Sequence, residues 1–331
     1  MSQKLFFISF IVVLTLAAAF GQKPLTSSPK PSPTPLPTPF SMENALAEAE
    51  KQTDVYRENF NNLLAEETKT FEEYKKDGAL KNSRAIESNF LVYQSTNNPG
   101  SVVEYRNVTR VDGKNVGDSE KRAQDFFEKV LKSSTAEQEL KKIQQESSRY
   151  DKNLDISGLT LNQAPVLLSH IRPFFDFQFL GKENIGGSEV VIIGYKQKSK
   201  SPYVIFNDER AAPDKFSVGF EVDLPGSIKE ANALLRGKLW IDTNSFQLWR
   251  EERELTIQPD GLNAPLTVIK TVFEYEKSNL EIVLPKKITL VDYAVKRKDK
   301  EITTVQDTRV IFAYSKFTKS DVEVKSGDVK N

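Results

Sequence analysis

The chain lacks cysteine altogether and has a single histidine. Without cysteine there is no disulfide, thiol nucleophile, Cys-ligated zinc site or iron–sulfur cluster. One histidine excludes a multi-histidine metal site. An excess of either charge is also missing, because 46 Lys+Arg balance 46 Asp+Glu. No net field steers such a chain toward nucleic acid or an anionic membrane. The nucleophile elbow G-x-S-x-G, the phosphate loop ending in G-K-[ST] and the dinucleotide pattern G-x-G-x-x-G are absent as well. What is present is apolar material: 38% hydrophobic residues, with 21 phenylalanines among them. That is enough for a large core.

The N-terminus reads as an export signal over residues 1–21. Lys4 is followed by 16 uncharged residues, Leu5 to Phe20, and Ala19-Phe20-Gly21 puts small residues at the peptidase positions before Gln22. The run is short for a membrane span, and a lipid-modified signal would need a cysteine. The expectation is a periplasmic or secreted protein without a stable membrane anchor. Residues 22–40 contain seven prolines in 19 positions, which favours an extended, disordered linker. A glycosylated stalk and a ligand for a proline-binding partner remain open for it. The expectation for the rest is one domain over 41–320, with a helical insertion around 118–171, and a C-terminal tail over 321–331.

Four segments carry helical periodicity. In 43–65, Leu46, Ala49, Thr53, Tyr56, Phe60 and Leu63 make one narrow stripe. In 119–132, Ala123, Phe126, Phe127, Val130 and Leu131 make a wider one, with Asp118 as its cap. In 135–150, Ser134 and Glu137 are placed as a capping box. A short helix is expected from Pro165 to about Ile171. Strands are expected at 84–93, 102–111, 174–180, 189–197, 202–207, 215–222, 236–242, 246–257, 266–276, 286–296 and 302–317, which are rich in Val, Ile, Phe, Tyr and Thr. Consecutive strands without intervening helices imply antiparallel hairpins and meanders. Gly186-Gly187 reads as one of the tight turns.

One hairpin fixes its own expected register. With Asn244-Ser245 as a two-residue turn, Ile241 faces Leu248, Trp240 faces Trp249 and Lys238 faces Glu251. Leu239, Ile241 and Leu248 then share the core face. Lys238, Trp240, Asp242, Trp249 and Glu251 share the other, which is either a covered outer face or a partner surface through Trp240 and Trp249.

The search for chemistry is thin. Asp151, Asn153 and Asp155 begin like a calcium loop, but Ile156 and Asn162 occupy the positions of its glycine and bidentate glutamate. A solvated loop is expected there, and no metal. His170 lies in a short turn before Arg172-Pro173 and reads as a packed or capping side chain. The clusters Lys196–Lys200 and Lys296–Lys300 sit at strand ends and make no nucleic-acid stripe. Asn107-Val108-Thr109 is a glycosylation sequon by pattern alone. No catalytic residue and no cofactor site emerge. The most suggestive feature is Phe175, Phe177 and Phe179, which share one face of a strand. They either fill the core or line an apolar cavity.

A resemblance adds to this. Gly237-Lys238-Leu239-Trp240-Ile241-Asp242, then Phe246-Gln247-Leu248-Trp249-Arg250-Glu251-Glu252, Leu284-Pro285-Lys286-Lys287-Ile288 and a closing Tyr314-Ser315-Lys316-Phe317 resemble the superfamily of periplasmic lipoprotein carriers and their outer-membrane receptors, in an uncharacterised secreted branch. The resemblance implies an α+β fold: an unclosed antiparallel β half-barrel with helices covering the concave face. It implies a non-catalytic, soluble shuttle for a lipid, a lipidated protein or another apolar ligand, with Phe175, Phe177, Phe179 and Phe273 as lining. The alternative is an envelope interaction module, a sensor or scaffold that binds a protein partner on the half-barrel. A hydrolase using undetected carboxylates is a third, weaker option.

Overall fold

The computed structural model describes residues 40–319, except 61–62, 96, 99–101, 152–159, 161–162, 200–203, 207–215, 219–231, 260–261, 263, 281 and 299–300. The expected signal, proline-rich segment up to residue 39 and C-terminal tail lie outside the described residues, as do Asn153, Asp155, Ile156 and Asn162. Among the described residues, no helix is long and apolar enough to cross a membrane.

A helix, α1 (Met42–Phe60), leads into three strands, β1 (Leu63–Tyr74), β2 (Leu80–Gln94) and β3 (Val102–Val111), and a two-residue β4 (Lys114–Asn115). Two helices follow, α2 (Ser119–Val130) and α3 (Ala136–Ser147), then two single 3-10 turns at Pro165–Leu167 and Arg172–Phe174. The strand-rich half comprises β5 (Phe175–Ile185), β6 (Ser188–Gln197), β7 (Val204–Phe206), β8 (Phe216–Val218), β9 (Asn232–Asp242), β10 (Leu248–Gln258), β11 (Leu266–Lys277), β12 (Val283–Lys298) and β13 (Glu301–Lys319). Eleven strands form one sheet in the order β4-β3-β2-β1-β13-β12-β11-β10-β9-β6-β5, and β7 and β8 make a separate pair. The main sheet is antiparallel throughout. It ends at β4 and β5 without joining, so it is an unclosed half-barrel.

Most expected strands are present with boundaries moved by a few residues. The leading helix stops at Phe60, and Leu63 and the residues after it form a strand instead. β1 alternates buried Leu63, Ala65, Glu67 and Lys69 with exposed neighbours. Two of those four inward side chains are charged, so apolar alternation did not mark the strand. The cap of α3 is Thr135, whose side chain accepts from the Gln138 amide; the capping pair sits one residue later than Ser134 and Glu137. Over Pro165–Ile171 the only helical geometry is a single 3-10 turn, Pro165–Leu167, which ends where Leu168 turns extended, and a second turn, Arg172–Phe174, holds Pro173. Gly186 and Gly187 have φ of 58° and 85°, the left-handed values a two-residue hairpin turn requires.

The concave face receives α1 and the 3-10 turns. Tyr56 and Phe60 of α1 pack there with Leu63, Phe90 and Phe312, and Val166, Leu167 and Ile171 join the same core. The other two helices lie elsewhere. Phe126, Phe127, Val130 and Ile143 cluster with Tyr93, Val103 and Tyr105, which point to the opposite face of β2 and β3 from Phe90 and Arg106. The wide apolar stripe of α2 is spent on the convex side, so of the three α-helices only α1 roofs the hollow.

Candidate functional site

Asp151, Thr160 and residues 163–175 cover the concave face, and this cover is tied to the sheet by buried polar groups. Lys69 Nζ lies 2.6 Å from Asp151 Oδ2, with both side chains at most 3% exposed. Burial pulls Lys69 below the usual lysine range and pushes Asp151 above the usual aspartate range. Next to this pair, Arg106 joins Glu67 at 2.7 Å and Glu104 at 2.9 Å. Burial alone would lower Arg106; Glu67 and Glu104 outweigh it and hold the guanidinium well above its ordinary value. Glu104 also accepts the Thr160 amide at 2.8 Å. Thr160 pairs its hydroxyl with Tyr314 at 2.8 Å and accepts from the Tyr56 hydroxyl at 2.9 Å. The expected solvated loop at Asp151 is therefore a buried anchor at its first residue.

A second anchor lies on β10. Glu251 accepts the Ala164 amide at 2.9 Å and pairs with Arg253 at 2.8 Å. The Arg253 guanidinium sits 4.9 Å over the Phe273 ring. This position corrects the expected hairpin register. Ile241 faces Leu248 as expected, but an extra residue at Trp249 shifts the ladder, so Trp240 pairs with Arg250 and Leu239 with Glu251. The bulge keeps Trp249 on the convex side with Trp240 and turns Glu251 inward, where it is fully buried.

The tryptophans are covered. Trp240 and Trp249 are 6% and 4% exposed, packed with Val190, Ile185 and Ile192. Trp240 donates to Glu183 at 2.8 Å and Trp249 to Asp242 at 3.2 Å. Arg250 lies 5.0 Å over the Trp240 ring.

The phenylalanines do not share one environment. Phe175 is buried against Tyr195, at 5.9 Å between ring centres. Phe177 is half-buried. Phe179 is 44% exposed and meets Phe40 at 5.4 Å. Phe273 is buried several strands away, beneath Arg253. His170 is exposed between the two 3-10 turns.

Among the described residues, a cavity of about 150 Å³ lies on the concave side between Phe71, Arg84, Tyr150, Asp151 and Val310. Another, of about 20 Å³, lies between Tyr56, Gln163 and Leu248. A larger hollow, about 330 Å³, is an open charged groove on α2 and α3. None of the four phenylalanines lines any of these. Among the described residues no cluster of His, Asp or Glu could hold a metal ion. The polar anchors that sequence reasoning missed are charged residues on inward strand positions. The only signal for them was alternation itself, which places Glu67 and Lys69 in phase with Leu63 and Ala65.

No family model matches the chain, and no curated protein matches it. Solved structures do. A putative outer-membrane lipoprotein-sorting protein domain from Vibrio parahaemolyticus is 8% identical, with 86% of this chain and 96% of that one covered and a TM-score of 0.33. A LolA superfamily protein from Nitrosomonas europaea is 9% identical over 86% and 95%, TM-score 0.30. A DUF1329 family protein from Desulfovibrio piger is 12% identical over 86% and 94%, TM-score 0.30. The first two belong to the group that the 237–252 motifs resemble.

Proposed function

We propose that this chain is an exported, non-catalytic interaction module that works through its surface, the half-barrel serving as a rigid platform. One observation carries the reading: among the described residues, the concave face is packed by the protein's own side chains. The space found there is about 150 Å³, whereas ligand pockets run to about 300–1,000 Å³. The cover is pinned by carboxylates at Asp151, Glu104 and Glu251. An acyl chain would enter only after those bonds and the packing of Val166, Leu167 and Ile171 were given up. Export rests on the pattern of residues 1–21.

Native mass spectrometry of purified protein, with crosslinking in cells, tests this. The expected result is a ligand-free mass and one dominant crosslinked protein species. A stoichiometric co-purifying lipid would overturn the reading in favour of a carrier.

A further inference from the structure

The two ends of the sheet are finished differently. At one end, β3 is closed off by α3: the Ser147 hydroxyl accepts the Arg106 amide at 3.2 Å and donates to the Glu104 carbonyl at 3.1 Å. Those are backbone groups that an edge strand otherwise leaves bare. At the other end, β5 pairs with β6 alone, and among the described residues no strand lies along its far side.

The direction of that free edge is fixed by one bond. The Lys198 amide donates to the Phe174 carbonyl at 2.9 Å, so residue 174 points toward β6. Alternation puts 176 and 178 the same way and turns the carbonyl of Phe175 and the amides and carbonyls of Phe177 and Phe179 outward; the Phe175 amide caps the preceding turn by donating to the Arg172 carbonyl. Just beyond, the ladder slips between Phe179 and Gly181. This bulge ends the usable edge.

The five residues before the bulge, Phe175-Asp176-Phe177-Gln178-Phe179, read nearly the same in both directions. We infer that β5 pairs with β5 of a second copy, antiparallel and centred on Phe177. In that register Phe177 lies opposite the partner's Phe177, and Phe175 opposite the partner's Phe179. The amides and carbonyls of Phe177 and Phe179 and the carbonyl of Phe175 then face the partner. Phenylalanine meets phenylalanine on the concave side. Asp176 meets the partner's Gln178 on the convex side, where the amide donates to the carboxylate. Moving the centre to Phe179 runs both chains into the bulge. Moving it to Phe175 leaves Phe179 without a mate. The surface there also suits burial: Phe40, Phe179 and Leu180 are three of the seven large apolar residues that are exposed among the described residues. The interface is isologous, as a twofold dimer requires. It names a second copy as one occupant of the surface, and stands or falls apart from any envelope partner.

A five-residue edge buries less than a standard interface, so the association should be weak, with a dissociation constant on the order of 10–100 μM. Sedimentation equilibrium of the purified chain across that range should show monomer–dimer exchange. Phe179→Lys, at an exposed position, should weaken it at least tenfold with unchanged thermal unfolding. Because the chain has no cysteine, one introduced thiol reports the register. Phe177→Cys should form a disulfide-linked dimer on mild oxidation, since facing Cα atoms there would be about 5.5 Å apart. Gln178→Cys should stay largely monomeric. A chain that remains monomeric up to about 500 μM, a dimer indifferent to Phe179→Lys, or equal crosslinking at 177 and 178 would each overturn the inference.

Discussion

The buried carboxylate of Glu251 accepts the amide of Ala164 at 2.9 Å, joining the cover to the middle of the sheet. Ala164 sits at φ of 35°, a left-handed value that costs an alanine free energy and that this bond helps to hold. Glu251→Ala removes the anchor and leaves Arg253 buried without its carboxylate. A loss of about 3–5 kcal/mol is expected, read by urea unfolding. Glu251→Gln keeps an acceptor for Ala164 and should lose less.

How far the sequence foretold this join is instructive. The strands were legible wherever inward positions are apolar: β11, with Val268, Phe273 and Tyr275 buried, runs from Leu266 to Lys277, within one residue of its expected bounds. The helix caps were legible to within one residue. The sheet's polar anchors were not, because Glu67, Lys69 and Glu251 look like ordinary surface charges until a bulge or a partner strand turns them inward. The bulge at Trp249 has no glycine or proline to announce it. On the convex side Trp249 still donates to Asp242, its diagonal neighbour on that face, so the slip shows only further along the strand, where Arg250 pairs with Trp240.

Lys69 and Asp151 test whether the first anchor is held by attraction or by complementarity. Either Lys69→Met or Asp151→Leu alone strands a buried charge, at a cost of about 3–5 kcal/mol. The double substitution should recover most of that loss, because two apolar side chains of similar size replace two desolvated ions. A double-mutant cycle in thermal unfolding measures it. Costs that simply add would show that the two charges do not support each other.

Asp242 supplies a pH dependence with a definite sign. Burial raises its carboxyl, but hydrogen bonds from the Ser245 and Asn244 amides and from the Ser188 and Trp249 side chains outweigh this and hold it below its ordinary value. The folded pKa is thus lower than the unfolded one. Its stabilisation is complete above the ordinary aspartate range, near about pH 4, and is lost as pH falls through the folded value. Asp242→Asn should therefore be less stable than wild type at pH 7, and the gap should close in acid below about pH 4. Unfolding titrations of both proteins at pH 7, 5, 4 and 3 give the comparison. A gap that stays constant down to pH 3 would show that the ionised carboxylate is not what the amides select.

Gly237 opens the G-x-L-W-I-D strand, and the reason only glycine fits is steric rather than conformational. A Cβ there would lie 1.9 Å from the Glu252 carbonyl oxygen and 2.5 Å from the Tyr195 hydroxyl. The Tyr195 hydroxyl donates to that same carbonyl at 3.2 Å, so ring and backbone crowd the position together. Gly237→Ala should cost about 1–3 kcal/mol or more, as overpacking of a tight core does. Adding Tyr195→Phe should not rescue it, since the carbonyl remains. Gly194→Ala is the control: its Cβ would approach only the Leu180 side chain, at 3.0 Å, and Leu180 is 47% exposed and free to move aside. That variant should stay within about 0.5 kcal/mol of wild type in the same urea titration. Equal losses at both positions would mean that the β9–β10 pair is looser than its geometry, and that the glycine reflects backbone entropy instead of the close approach of Tyr195 and Glu252.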